Sequence, residues 1–327
     1  MTGCPDDQMY NASVTPSAGL LSRAYAECEA LARSHYENFP VASWLLPRPM
    51  RPHVAALYAF ARTADDIADE GHAPAAERQR DLSAWQNRLH LAVSAAPEWA
   101  PGDVSGWAPG DLSSADHADR RGDLILTAIA HSIRTLDLPL RLFDDLVSAF
   151  GQDTMTNRYA SWADVLDYCR RSANPVGRLV LCIAGYRDQA LDRSSDALCT
   201  ALQLTNFWQD FGRDWRAGRL YVPREVCTEA GADEADLAGG VIGDAWGRAL
   251  ERCAAVTRDL FREGRSVCDG VRGRLRAELR FTWLGGMRIL ERVEHGRLSL
   301  FDHRPALGAA DVPVLLWRAS RWTPARL

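Results

Sequence analysis

Residues 206–214 read NFWQDFGRD, and residues 64–70 read ADDIADE. In both stretches, acidic or amide side chains recur every four residues within an apolar run of helical spacing. Side chains four residues apart share one face of a helix. Several carboxylates on one face repel one another, and burying them is costly unless a counter-charge compensates them. The two stretches therefore predict two helices whose acidic faces oppose each other across a cavity.

The oxygen-bearing side chains of these faces form a candidate metal site. Carboxylates and amides with no nearby His or Cys suit Mg²⁺, which is usually held by one or two carboxylates together with substrate phosphates. Two opposed faces would bind a diphosphate through a cluster of about two or three such ions. A single acidic run is more often a solvated helix face, but a second run in an apolar stretch favours a metal site. The candidate ligands are Asp65, Asp66, Asp69, Asn206, Asp210 and Asp214.

The composition narrows the class of protein. The 327 residues are 47% hydrophobic and 25% charged, which is enough for a large core in one domain. A net charge of −5 argues against a nucleic-acid partner. All 38 basic residues are Arg. The lack of Lys excludes a Schiff-base or P-loop lysine and favours planar, bidentate recognition of phosphate.

The cysteines and the apolar runs bear on the cellular compartment. The eight Cys include no CxxC pair and none sits with His at zinc-ligand spacing, so we expect reduced thiols in a cytoplasmic protein. The first residues are polar and acidic, unlike a signal peptide. No apolar run is long enough to span a bilayer, although an apolar product could bring the protein to a membrane as a peripheral contact.

The periodicity predicts an all-α fold in one domain, because runs of alternating β-branched residues are scarce. We expect residues 1–19 to be disordered and residues 20–327 to form the domain. Residues 96–122, rich in Pro, Gly, Asp and Ser, are expected to be a loop insertion. The predicted helices cover residues 20–38, 53–70, 75–95, 124–136, 139–150, 162–171, 176–184, 194–216, 223–230, 243–271 and 275–295.

Polar and aromatic residues near the acidic stretches are candidates for substrate contact. Tyr58 and Arg62 precede the first acidic stretch, and Arg62 could meet a phosphate. Arg219 and Tyr221 follow the second stretch in a short loop that could fold over the cavity mouth. His35 is either a proton shuttle or a core histidine. The further candidates are Phe39, Tyr168, Arg171, Asn174, Gln203 and Phe207, of which Arg171 could equally be a surface charge.

These motifs resemble those of the squalene/phytoene synthase family. The family's first Asp-rich motif is similar to Asp65–Asp69 and its second to residues 203–214, followed by GRLYVP at 218–223. Its opening segment resembles His35–Phe39, and its Arg before the first motif corresponds to Arg62. The resemblance covers about residues 20–300. Within the family, the chain is most similar to bacterial hydroxysqualene synthases of hopanoid pathways, through residues 37–42, 64–70, 171–178 and 206–210.

The resemblance implies an isoprenoid synthase fold, in which helices surround a deep apolar cavity. It implies Mg²⁺-dependent ionisation of an isoprenoid diphosphate, with release of pyrophosphate. In the hydroxysqualene version, presqualene diphosphate ionises and water captures the cation, without NADPH. We expect Asp65, Asp69, Asp210, Tyr58 and Tyr168 to be catalytic. We expect the substrate to be bound by His35, Phe39, Arg62, Arg171, Asn174, Gln203, Phe207, Arg219 and Tyr221.

Departures from the family pattern keep two other functions open. Gln209 replaces the family's Arg, Arg213 replaces an acidic residue, and Gly286 aligns with a Tyr of squalene and phytoene synthases. The chain could therefore be a prenyltransferase of secondary metabolism that transfers a prenyl group to an aromatic, carbazole-like acceptor. A non-catalytic helical binding protein is a further alternative, against which the intact acidic ligands argue.

Overall fold

The computed structural model describes residues 18–34, 45–71, 73–94 and 114–323, and the regular elements in these ranges are helical. Short 3₁₀ turns cover Arg48–Met50 and Arg297–Ser299. The α-helices are α1 (Ala18–Ser34), α2 (Arg51–Asp69), α3 (Ala75–Ser94), α4 (Ser114–Leu136), α5 (Leu140–Asp153), α6 (Trp162–Ser172), α7 (Asn174–Ile183), α8 (Gln189–Gln209), α9 (Phe211–Arg216), α10 (Arg224–Ala230), α11 (Glu234–Leu237), α12 (Asp244–Gly264), α13 (Val267–Gly270), α14 (Gly273–His295) and α15 (Asp311–Ser320).

Two buried helices organise the packing. Helix α2 packs against α1, α3, α4 and α5, while α8 packs against α6, α7, α12, α13 and α14. Helix α7 also contacts α2 and α5, which joins the two groups into one core. The first acidic stretch lies at the C-terminal end of α2 and the second at the C-terminal end of α8. The all-α fold predicted from the periodicity is confirmed.

A buried hydrogen bond fixes α8 against α12. The indole Nε1 of Trp208 donates to Thr257 Oγ1 at 2.8 Å, and both side chains are fully buried. The Thr257 hydroxyl in turn donates to the carbonyl of Cys253. Tryptophan and threonine can be buried at little cost only when their polar atoms are satisfied in this way.

The chain departs from the predicted helix pattern at three places. The predicted helix 194–216 is two helices, because Asp210 adopts a non-helical conformation (φ −94°, ψ 8°) between α8 and α9. The predicted helix 243–271 likewise breaks after Gly264. The loop predicted for residues 96–122 is wrong for its last nine residues, since α4 begins at Ser114. Residues 1–17 and 95–113 lie outside the described ranges, so these parts of the domain prediction stay predictions.

Two further observations concern the hydropathy of the helices and the state of the cysteines. Within the described ranges, no helix combines the length and the hydropathy needed to cross a bilayer. The seven described cysteines, most of them buried, are free thiols, as predicted.

We predict that Thr257→Val lowers the free energy of unfolding by about 1–3 kcal/mol, because it leaves the buried indole N–H of Trp208 without an acceptor. Thermal and urea denaturation followed by circular dichroism would measure this. Thr228→Val is the matched control, since Thr228 is exposed and its hydroxyl makes the same bond to the carbonyl four residues earlier. Equal losses in both variants would contradict the prediction.

Candidate active site

A bidentate ion pair between Arg219 and Asp69 joins the two acidic stretches. Arg219 Nη1 lies 3.1 Å from Asp69 Oδ2, and Nη2 contacts Oδ1 of the same carboxylate. The loop after α9 makes this contact possible: Gly218 has a φ of +80°, where glycine is favoured, and the Arg219 amide donates to the carbonyl of Asp214. The hydrogen bonds to Asp69 raise the pKa of Arg219. The ends of α2 and α9 therefore meet at one site.

The acidic face of α2 carries more negative than positive charge. Arg62 lies 3.3 Å from Asp65 Oδ2, 2.5 Å from Asp66 Oδ1 and 3.2 Å from Glu70 Oε1, so one guanidinium serves three carboxylates. Burial and the neighbouring carboxylate of Asp69 raise the pKa of Asp65 to about 6. The face is therefore short of cations as it stands.

The second acidic face is held by an arginine that the sequence did not indicate. Arg304, from the segment between α14 and α15, binds Asp210 through Nε and through Nη2, the latter 3.1 Å from Oδ2. Gln209 fixes this segment by donating to the carbonyl of Pro305 at 2.5 Å. Burial and the charge of Asp210 raise the pKa of Asp214 to about 7. Asn206 is exposed one turn before Asp210 on α8.

Aromatic side chains form a wall beside the carboxylates. Phe207 and Tyr221 stack with ring centroids 3.7 Å apart and planes at 3°. Tyr168 lies 6.0 Å from Phe207, and Tyr159 lies 5.7 Å from Tyr221. The loop of residues 217–223 brings Tyr221 to the wall because it pairs with residues 157–160, through the amide of Leu220 and the carbonyl of Asn157 at 3.0 Å. The four rings are buried and pack against one another, and they form an aromatic surrounding of the kind that can stabilise a cation.

Asp153, at the end of α5, is a further site residue that the sequence did not indicate. The Tyr168 hydroxyl donates to Asp153 Oδ2 at 2.7 Å. Burial raises the pKa of Asp153 to about 7, and the charges of Arg219, Asp69 and Asp65 also act on it. An acidic residue in the last turn of an amphipathic helix looks like an ordinary solvated side chain in sequence, so only the fold reveals its position.

Three buried polar atoms at this site have no hydrogen-bond partner within the described residues: Tyr58 Oη, Arg62 Nε and Asp153 Oδ1. Buried polar groups are nearly always satisfied by protein or water. Burial also raises the pKa of Tyr58, which senses the charges of Arg62 and Asp66. Unsatisfied groups next to excess carboxylates indicate a place that binds a polar ligand.

The remaining predicted residues lie around this centre or outside it. Arg171 donates to Asp167, Ser148 and Gln152, so it is not a free surface charge. Gln152 precedes Asp153 in the chain, which places Arg171 next to the site. Asn174 is buried and accepts from Thr200 at 2.9 Å, which gives its side-chain oxygen a packing role between α7 and α8. Gln203 is half-buried on α8. His35 and Phe39 lie outside the described residues.

Comparison with known proteins identifies the family. The sequence pattern of the squalene/phytoene synthase family matches residues 32–311. A hydroxysqualene synthase of Zymomonas mobilis is 35% identical over 69% of this chain and 68% of its own length. A hydroxysqualene synthase of Rhodopseudomonas palustris is 33% identical over 72% of each chain. The crystal structure of squalene synthase HpnC from Alicyclobacillus acidocaldarius matches with a TM-score of 0.72 and 36% identity, covering 84% of this chain and 94% of that one.

The chain belongs to the squalene/phytoene synthase family. Its fold is the isoprenoid synthase fold, and it is an enzyme of the class that acts on isoprenoid diphosphates. A 15-cis-phytoene synthase of Synechococcus elongatus is 27% identical over 96% of the chain, so the similarity extends over nearly its whole length. The family assignment made from the two acidic motifs is confirmed.

The structure explains one departure from the family pattern. A Cβ at Gly286 would lie 2.5 Å from Leu202 Cδ2 and 2.7 Å from Phe261 Cζ, because α14 packs closely on α8 and α12 there. A tyrosine at this position has no room in the present packing. Arg213, in contrast, is mostly exposed and lies 3.7 Å from Asp210, a distance and exposure typical of weak ion pairs.

The raised pKa of Asp153 predicts a pH dependence of stability. A carboxyl whose folded pKa is about 7, well above its value in the unfolded chain, stabilises the fold when protonated and loses that contribution as pH rises through 7. The protein without metal should therefore gain thermal stability between pH 8 and pH 6, and Asp153→Asn should flatten this dependence. Asp81→Asn, at an exposed position on α3, is the control. A slope unchanged by Asp153→Asn would contradict the pKa assignment.

Proposed function

We propose that the enzyme converts presqualene diphosphate to hydroxysqualene in a Mg²⁺-dependent ionisation that requires no NADPH. The Arg219–Asp69 pair carries the proposal, because it joins both acidic faces beside the aromatic wall. The relatives named hydroxysqualene synthase, at 33–35% identity, favour this reaction over others in the family.

The residues present fit Mg²⁺ by their chemistry. The donors are oxygen atoms, and one arginine, Arg62, serves three carboxylates of the first acidic face. Burial with like-charge repulsion raises the pKa of Asp65 and Asp214. No set of three His, Cys, Asp or Glu side chains converges on one point in the described ranges; Arg62, Arg219 and Arg304 bind carboxylates instead. When bound, Mg²⁺ would neutralise the diphosphate and its leaving group. It would be held by Asp65, Asp66, Asp69, Asn206, Asp210 and Asp214.

The arginines supply the second part of diphosphate binding. Arg62, Arg219 and Arg304 each donate to a carboxylate here. The same planar N–H groups match the oxygens of a phosphate, to which they make strong charge-assisted hydrogen bonds. The orphaned hydroxyl of Tyr58 and Nε of Arg62 are further donors on the same face. These groups stabilise the negative charge that develops on the pyrophosphate as the C–O bond breaks.

The aromatic wall controls the fate of the cation. The C–O bond breaks with its electron pair leaving on pyrophosphate, and the π faces of Tyr168, Phe207 and Tyr221 stabilise the cation while it rearranges. A wall that excludes bulk water delays capture. One water then forms the new C–O bond and gives up a proton. Asp153, with a pKa of about 7 and an unpartnered oxygen beside Tyr168, is suited to accept it.

We predict that Mg²⁺ with presqualene diphosphate alone gives pyrophosphate and a C30 alcohol, and that EDTA abolishes the reaction. Pyrophosphate release and mass spectrometry of the organic product measure this. Farnesyl, geranyl and dimethylallyl diphosphates are tested in parallel, each with and without a carbazole. Turnover of a short diphosphate only when the aromatic compound is present would reject the hydroxysqualene reaction and make the enzyme an aromatic prenyltransferase. No release from any diphosphate would indicate a binding protein.

Asp65→Asn and Asp210→Asn should each lower kcat by about a hundredfold or more, because each removes a charged donor from one acidic face. Asp259→Asn on α12 is the control, since Asp259 is exposed and pairs only with Arg262 of the same helix. Circular dichroism should show an unchanged fold, and calorimetry should show weaker binding of Mg²⁺ with pyrophosphate. Wild-type turnover in either variant would remove that residue from the metal assignment.

A further inference from the structure

Helix α15 exposes a stripe of apolar side chains and buries its acidic residue. Its outward stripe holds Val312, Leu316 and Trp317, which are 53%, 55% and 57% exposed, together with Pro313. Its one acidic residue, Asp311, is only 1% exposed. A helix on the surface of a globular protein normally turns its apolar side to the core and its charges to water. Helix α15 instead buries its acidic residue and exposes this apolar stripe, while Val314 and Leu315 are half-buried.

Polar contacts on the inner side hold α15 in this orientation. Asp311 accepts from Arg288 Nε at 3.1 Å, from Arg292 Nη2 at 2.7 Å and from the amide of Gly308 at 2.8 Å. Near the other end, Arg318 donates to the two oxygens of Glu291 at 2.8 and 3.1 Å. Because both ends are tied to α14 by ion pairs, the helix cannot roll its apolar stripe inward without breaking them.

The border of the apolar stripe is basic. The Arg321 guanidinium lies 4.9 Å from the ring centroid of Trp317, and that of Arg265 lies 4.4 Å from the ring of Trp322. Arg318 is neutralised by Glu291 on the inner side, so Arg321 and Arg265 supply the positive charge at this border. Exposed Leu and Trp beside arginines combine an apolar surface with positive charge, which is the combination that an anionic lipid surface attracts.

We propose that this face, formed by Val312, Pro313, Leu316 and Trp317 with Arg321 at its border, docks reversibly on an anionic lipid bilayer. The apolar side chains enter the interface, where tryptophan is favoured, and the arginine meets the headgroups. A second copy of the chain is a poorer occupant. A standard protein interface takes roughly 20–30 residues a side, whereas this stripe has four apolar side chains. So few buried side chains give weak, reversible membrane binding.

The docking face is close in the chain to the ionising site. Arg304 binds Asp210, the carbonyl of Pro305 accepts from Gln209, and the amide of Gly308 donates to Asp311 at the start of α15. The segment of residues 304–311 thus connects the rim of the site to the docking face. The proposal does not depend on which diphosphate the enzyme converts.

Vesicle flotation with the full chain tests the docking face. We expect wild-type protein to float with vesicles of phosphatidylcholine containing about 30% phosphatidylglycerol, and to float much less with pure phosphatidylcholine. The double variant Leu316→Ser/Trp317→Ser should lower the partition coefficient about tenfold or more. Leu91→Ser/Val241→Ser is the matched control, because these residues are 65% and 66% exposed elsewhere on the surface. Arg321→Glu should weaken binding to the anionic vesicles alone.

Three results would overturn the proposal: no flotation of the wild-type protein with either vesicle, equal flotation of Leu316→Ser/Trp317→Ser, or equal loss in the Leu91→Ser/Val241→Ser control. Light scattering is run on the same samples. A wild-type dimer that the Leu316→Ser/Trp317→Ser variant converts to monomer, without vesicle binding, would assign the face to a second copy of the chain. Circular dichroism and thermal unfolding in the absence of vesicles show that each variant is folded, and both are expected to be unchanged.

Discussion

The site depends on compensating an excess of carboxylates. The C-terminal end of α2 presents Asp65, Asp66, Asp69 and Glu70 within six residues. Asp210, between α8 and α9, and Asp214, on α9, add two more acidic residues. Such charges repel across a low-dielectric gap, and a site built of them alone would push the two helix ends apart. Arg219, in the loop that follows α9, offsets this repulsion by binding Asp69 at the end of α2. One bidentate pair therefore holds together the ends of two helices that belong to different halves of the core.

The use of arginine in place of lysine throughout the chain suits this arrangement. A lysine ammonium could neutralise one carboxylate, but a guanidinium can serve several partners in one plane, as Arg62 does with the carboxylates that follow it on α2. The same planar group can then bind phosphate oxygens without changing its charge. In the proposed reaction, each carboxylate that an arginine releases would become free for a divalent cation. The arginine pairs compensate part of the negative charge of the two acidic faces.

Much of this site could be predicted from sequence because its main signal is local. Acidic residues at a spacing of four on an apolar helix identify a shared face with no knowledge of the fold, so the two faces, Arg62 and the loop with Arg219 and Tyr221 were all predicted. Asp153 and Arg304 were not, since each reaches the site only through tertiary packing. The break at Asp210 was also missed, because helical periodicity continues across a single residue that leaves the helical conformation. Asn174 Oδ1 accepts a hydrogen bond from Thr200 within the core, and its predicted contact with the substrate stays a prediction.

The segment after α14 joins two features that sequence patterns treat as separate. Arg304 binds the second acidic face, and the carbonyl of Ala306 accepts from Arg292, which also binds Asp311. The orientation of α15 and the charge balance at Asp210 are therefore set by one short stretch of chain. The ion pairs of Arg288, Arg292 and Arg318 also hold α15 on α14, and none of them involves Asp210. These pairs fix the outward orientation of the apolar face without a contribution from the carboxylates of the site.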